Sequence, residues 1–123
     1  MKIFLVEDSP LVRERLMTLL ASIEGTSTVG YAASAEEAIR GILAAHPDVV
    51  VLDIKLAAGT GFDVLRAVRE REPGIDVYML SNFATQPYRR LAAQLGACDF
   101  FDKSTEMNDV RTVLTQRAAR TLN

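Results

Sequence analysis

Short unbroken apolar runs alternate along this chain with longer stretches whose apolar residues recur every three or four positions. Residues 3–6 form the first run and predict a strand. Ser9-Pro10 then predicts a helix start, with Ser9 as N-cap and Pro10 at the first helical position. Val12, Leu16, Leu19 and Ile23 continue it as one stripe. Residues 28–32 predict a second, weaker strand. Ser34 and Glu37 have the spacing of a capping box for a helix that buries Ala38, Ile39, Ile42 and Leu43, and His46-Pro47 ends it. Residues 48–54, with Val49-Val50-Val51-Leu52 unbroken, are the strongest strand signal. Residues 56–61 read as a loop with two glycines, and Phe62, Leu65 and Val68 as a helix that stops before Pro73-Gly74. Residues 75–80 predict a strand. Tyr88, Leu91 and Leu95 mark a helix between Thr85 and Gly96. Residues 98–101 predict the last strand, and Ser104 is expected to cap a final helix that carries Met107, Val110 and Leu114 to Asn123.

Five strands alternating with five helices mean an α/β fold, a parallel sheet covered by helices on both faces. The 123 residues, 49% hydrophobic and 24% charged, suffice for one domain over residues 1–123 with a full core. No linker, repeat or output domain is expected. The single cysteine, Cys98, allows no intrachain disulfide and is expected to be a buried packing residue. Net charge is −2, with no basic run of the kind that binds nucleic acid, and Arg111, Arg117 and Arg120 read as a solvated helix face. Glu7-Asp8 comes too early for a signal peptide and no apolar run spans a bilayer, so a cytoplasmic domain with no membrane partner is expected.

Two of the apolar runs stop at acids: Glu7-Asp8 after the first strand and Asp53 after the third. In an open parallel sheet, ligands bind beyond the carboxyl ends of the strands where the strand order reverses. If these strands are neighbours, the three carboxylates converge at that rim, joined by the hydroxyl of Ser81 and the ammonium of Lys103 from the ends of the fourth and fifth strands. At about 5 Å and an effective dielectric of about 20, each like-charged pair repels by roughly 3 kcal/mol. One lysine does not balance three acids. Hard carboxylate oxygens in such a pocket suit Mg²⁺, which also bridges to phosphate.

Glu7-Asp8, Asp53, Ser81 and Lys103, each after its own strand, with Gly96-Ala97 ahead of the lysine, resemble the receiver domain of two-component response regulators over essentially the whole chain. The resemblance implies a doubly wound, flavodoxin-like sheet in the order 2-1-3-4-5. It implies that Asp53 takes a phosphoryl group from a histidine kinase or phosphotransfer protein. Mg²⁺ would be held by Glu7, Asp8, Asp53 and the backbone carbonyl of Lys55. Lys103 and Ser81 would contact the phosphoryl group, and Phe100 would turn inward as Ser81 moves. The surface of the helix after Ser81, the last strand and the last helix would then change for a downstream protein target, and could pair two copies of the chain as a homodimer. Such a domain is no enzyme beyond its own phosphorylation and dephosphorylation.

Several positions depart from the pattern. Ser104 stands where many receivers have Pro, and a cis bond there costs far more without Pro. Ala57 replaces a usual Pro, so its loop is expected to be looser. Asn82 replaces a small residue beside Ser81 and is expected to narrow the approach to Asp53. Lys55 and Phe83 occupy positions that tune phosphoryl lifetime. A haloacid-dehalogenase-type enzyme would need a second Asp where Lys55 stands. A flavodoxin would need a Ser/Thr/Gly-rich phosphate loop where Glu7-Asp8-Ser9-Pro10 stands. A degenerate receiver, acting by phosphorylation-independent protein binding, would have lost Asp53, an acid or Lys103.

Overall fold

A computed structural model describes residues 1–122, with side chains through Arg120; Asn123, the expected end of the last helix, lies outside the described residues. In chain order the elements are β1 (Lys2–Val6), α1 (Pro10–Ala21), β2 (Ser27–Ala32), α2 (Ala35–Ala45), β3 (Val49–Leu52), α3 (Gly61–Arg71), β4 (Asp76–Ser81), α4 (Gln86–Gln94), β5 (Asp99–Asp102) and α5 (Met107–Leu122). The five strands form one parallel sheet in the order β2-β1-β3-β4-β5. Fold class and strand order are those the resemblance implied.

The pleat sends alternate residues to opposite faces. Phe4, Val6, Val50, Leu52, Val77, Met79 and Phe100 pack on one side with α2, α3 and Ala92 of α4. Ile3, Leu5, Val49, Val51, Tyr78, Leu80 and Phe101 pack on the other with α1 and α5. Phe100 and Phe101 therefore belong to different cores. The α1 stripe runs through Leu16 and Leu20, with Leu19 only partly buried; the expected Leu19 is one step off the buried line. On α5, Val110, Leu114 and Ala118 are buried. Among the described residues no helix is long and apolar enough to cross a membrane.

The caps are partly as expected. Ser9 accepts from the Val12 N–H and Ser34 from the Glu37 N–H. His46 ends α2 in the left-handed region at φ 48, forced out of the helical basin by Pro47. The two-way capping box forms instead at α3, between Thr60 and Asp63. Ser104 does not cap α5. Its N–H and hydroxyl both donate to Asp102 Oδ1, at 2.8 and 2.6 Å, and a turn follows before the helix begins at Met107. A short polar side chain two residues back satisfies Ser104 locally, so the helix starts later.

Four further expectations are corrected. β3 is shorter than residues 48–54: Asp48 precedes it and its carboxylate accepts the Lys2 N–H at 2.7 Å. Cys98 is exposed, because it leads into the edge strand β5, which has no outer neighbour. Arg117 is not a solvated arginine; its Nε donates to Asp76 at 2.8 Å and ties α5 to β4. Ala57 does not loosen its loop. Its N–H donates to Ala33 O at 2.9 Å, a bond no proline could make, and Ala35 N–H donates to Ala58 O at 2.9 Å.

Candidate functional site

β1 and β3 are adjacent at the centre of the sheet, and Val6 pairs with Leu52. The residues that follow, Glu7 and Asp53, are therefore neighbours at the rim. Asp53 N–H donates to Val6 O at 3.1 Å, and Glu7 N–H to Ala32 O at 3.0 Å, so both backbones are held. Gly61 closes the loop behind Asp53: a Cβ there would lie 2.0 Å from the Asp53 carbonyl oxygen, which no side chain tolerates. On the other side Ser81 pairs with Asp102, and the next residue, Lys103, donates its N–H to Ser81 O at 3.1 Å.

The Lys103 ammonium lies between the two buried acids, 2.5 Å from Glu7 Oε2 and 2.6 Å from Asp53 Oδ2. All three side chains are nearly sealed, 8% exposed for Lys103, 2% for Glu7 and 8% for Asp53. Glu7 Oε1 also accepts from the Ser9 N–H, and Asp53 Oδ1 from the Ile54 N–H at 2.7 Å. Asp8 is the more exposed third acid, and a carboxylate oxygen from each of Glu7, Asp8 and Asp53 lies within 4.8 Å of the others. Three carboxylates against one ammonium leave two negative charges without a counterion from this set. These are hard oxygen donors on a pocket of about 280 Å³, also lined by Ser9, Val12, Lys55, Asn82 and Phe83. The donor set fits Mg²⁺.

Burial pushes the Glu7 carboxyl above the usual carboxylate range, against the pull of Lys103. Burial alone would lower the Lys103 ammonium, but its hydrogen bonds to Asp53 and Glu7, and their charges, outweigh it and raise its pKa above the ordinary 10.5. A raised folded value means that the stability from this ammonium is complete below the unfolded pKa and is lost as pH rises through the folded one. A melting series carried upward past pH 10.5 is thus expected to fall more steeply for the wild type than for Lys103→Met; parallel curves would show that the buried pairing contributes no such linkage.

The expected site residues do not all meet. Glu7, Asp8, Asp53 and Lys103 form one cluster, with Lys55 and Asn82 on its wall. Ser81 is fully buried, and its Oγ accepts from the Phe83 N–H at 3.1 Å, so the hydroxyl turns onto its own loop while keeping its proton to donate. Phe100 is already inward, 6% exposed. There is no cis peptide bond among the described residues, so Lys103–Ser104 is trans. Arg89 and Glu106, which sequence reasoning passed over, bond to each other at 2.8 Å beside Phe100. Two of Arg89's three bonds go to backbone carbonyls, which carry no residue-type signal.

The chain is similar in sequence and fold to known proteins. The sequence model of the response regulator receiver domain matches residues 3–115. The chain is 34% identical over 122 residues to the DNA-binding transcriptional activator DevR/DosR of Mycobacterium tuberculosis, covering 98% of this chain and 56% of that protein. It is 35% identical over 118 residues to a protein-glutamate methylesterase/protein-glutamine glutaminase of Carboxydothermus hydrogenoformans, covering 94% of this chain and 34% of that one. The chain thus spans about half or less of the length of these relatives. A crystal structure of a two-component response regulator of the LuxR family from Aurantimonas sp. superposes with a TM-score of 0.89 at 27% identity, covering 96% of this chain and 84% of that one.

Proposed function

The chain belongs to the response regulator receiver domain family, and from that premise we propose that Asp53 is a phosphoacceptor that takes a phosphoryl group from the phosphohistidine of a histidine kinase or phosphotransfer protein. The observation that carries this is the placement of Asp53 at the rim of the central strand pair, with Oδ2 on the Lys103 ammonium and two further acids beside it on an open pocket.

Glu7, Asp8 and Asp53, with the Lys55 backbone carbonyl, would hold Mg²⁺. Such an ion would supply positive charge against the acids and Lewis-acid stabilisation of the phosphoryl group. The protein's own groups do the rest. A carboxylate oxygen of Asp53 forms an O–P bond as the P–N bond of the donor breaks, and the imidazole leaves with its electron pair. Lys103 keeps its ammonium at Asp53 and meets the negative charge that arrives. Ser81 donates its hydroxyl proton to a phosphoryl oxygen. Hydrolysis returns the carboxylate and releases phosphate, so the domain turns over only its own modification.

The added charge is useful only if two states hold it differently. Ser81 and the loop to α4 supply that difference. The partner surface for a downstream protein, or for a second copy of the chain, is the face made by α4, β5 and α5. Phe83 and Tyr88 stand exposed at its start.

Two measurements test this. Intact mass after incubation with a small acyl phosphate should rise by one phosphoryl group with Mg²⁺ and not with a chelator; a gain independent of Mg²⁺ would rule out the acidic pocket as the site. Mg²⁺ alone should raise the melting temperature, by roughly 10 °C at a hundredfold excess over Kd. No shift at millimolar Mg²⁺ would mean that Glu7, Asp8 and Asp53 do not share an ion.

A further inference from the structure

Arg89 lies on α4, away from the acids, yet its guanidinium reaches three different segments. Nε donates to Ala84 O at 3.3 Å, in the loop after Ser81. Nη1 donates to Phe100 O at 3.0 Å, on β5. Nη2 meets Glu106 Oε1 at 2.8 Å, in the turn before α5. The guanidinium also lies 5.1 Å from the centre of the Phe100 ring, which it covers. Glu106 passes the contact on: the same Oε1 accepts the Asp102 N–H at 3.0 Å, and Glu106 N–H donates to Asp102 O at 2.8 Å. Asp102 is the residue before Lys103, and Lys103 N–H returns to Ser81 O. The bonds close a ring that runs from the loop after Ser81, through Arg89 and Glu106, to the turn that carries the Lys103 ammonium.

We infer that Arg89 is a positioning residue: with Glu106 it latches α4 to the turn that presents Lys103, so that the place of α4 and the place of the ammonium at Asp53 are one variable. The inference deepens the proposed chemistry at Asp53 and rests on it for its effect on phosphorylation. The guanidinium meets Ala84 O, Phe100 O and Glu106 Oε1 each with a different nitrogen, whereas the three donors of a lysine radiate from a single nitrogen and cannot span the same acceptors. The latch is partly exposed, with 34% of each partner's side chain in solvent. It also covers Phe100 and is therefore part of what keeps that ring inward.

The test has two arms. In the first, amide exchange is followed in the unphosphorylated protein. Arg89→Met and Arg89→Lys should both speed exchange at Asp102 and Lys103 by roughly tenfold or more. Acceleration confined to α4 and the loop before it would overturn the latch. In the second arm, phosphorylation by a small acyl phosphate is timed at saturating Mg²⁺. Arg89→Met and Glu106→Ala should each slow it by roughly tenfold, and the double variant should be no slower than either single one. Slowing that multiplies in the double variant would mean that the two residues act separately, and would also overturn the latch. If the wild type accepts no phosphoryl group, the role of Asp53 fails, and the exchange arm alone decides the latch. Arg89→Lys, the milder variant, serves if Arg89→Met does not fold.

Discussion

Asp53→Asn is expected to gain no phosphoryl group under conditions in which the wild type gains one. The substitution keeps the shape of the side chain. Asparagine still offers an oxygen to the Ile54 N–H, the bond that orients the carboxylate at 2.7 Å. What it removes is the anionic oxygen, the nucleophile of the proposed reaction. The consequence for stability is smaller than repulsion alone suggests. Asp53 faces both Glu7 and Asp8, so neutralising it relieves two like-charged pairs, each worth roughly 3 kcal/mol at an effective dielectric of about 20. Against that, the Lys103 ammonium loses one of its two carboxylate partners, 2.6 Å away, an attraction of roughly 6 kcal/mol at the same dielectric. The two nearly cancel, so the variant should melt within a few degrees of the wild type without Mg²⁺. It should also respond less to Mg²⁺, having one acid fewer. Intact mass and a melting curve on the same sample decide it. Phosphoryl uptake at the wild-type stoichiometry would place the acceptor on another residue.

The rim of the sheet was legible because the chain cannot hide it. An apolar run buried on both faces must stop where a charge begins, so Val49–Leu52 followed by Asp53, and Ile3–Val6 followed by Glu7-Asp8, mark the strand ends. Pairing Val6 with Leu52 then brings the acids together. The two cores were legible for the same reason, since alternation in a strand assigns Phe100 and Phe101 to opposite faces. Features settled by neighbours far along the chain were not legible. Whether Ser104 caps a helix depends on Asp102 competing for its N–H and hydroxyl. Whether Cys98 is buried depends on β5 being an edge. Ala57 reads as a missing proline until the Ala33 carbonyl opposite its N–H is seen. Arg89 carries no mark in the sequence, because two of its acceptors are backbone carbonyls.

Lys103→Met should be the most destabilising substitution at the site, and Mg²⁺ should repair most of the damage. Methionine has nearly the length of lysine and packs without strain, so the change isolates the charge. Lys103 is 8% exposed and its ammonium bonds Glu7 and Asp53 at 2.5 and 2.6 Å. Removing one partner from a buried ion pair leaves the other charge uncompensated, at a cost of about 3–5 kcal/mol. Here two acids are left rather than one, with Asp8 within 4.8 Å of both. The backbone bond from residue 103 to Ser81 O survives, so the turn itself need not move. The loss therefore appears chiefly as electrostatics, which a divalent cation can offset. The rise in melting temperature on adding Mg²⁺ should be larger for Lys103→Met than for the wild type. Phosphorylation should nonetheless stay slow in the variant at saturating Mg²⁺, because the ion replaces the charge of Lys103 but not its contact with Asp53. Equal Mg²⁺ shifts in the two proteins would show that Lys103 and the ion do not share the same acids. A variant as fast as the wild type at saturating Mg²⁺ would confine Lys103 to stability and leave the arriving charge to other groups.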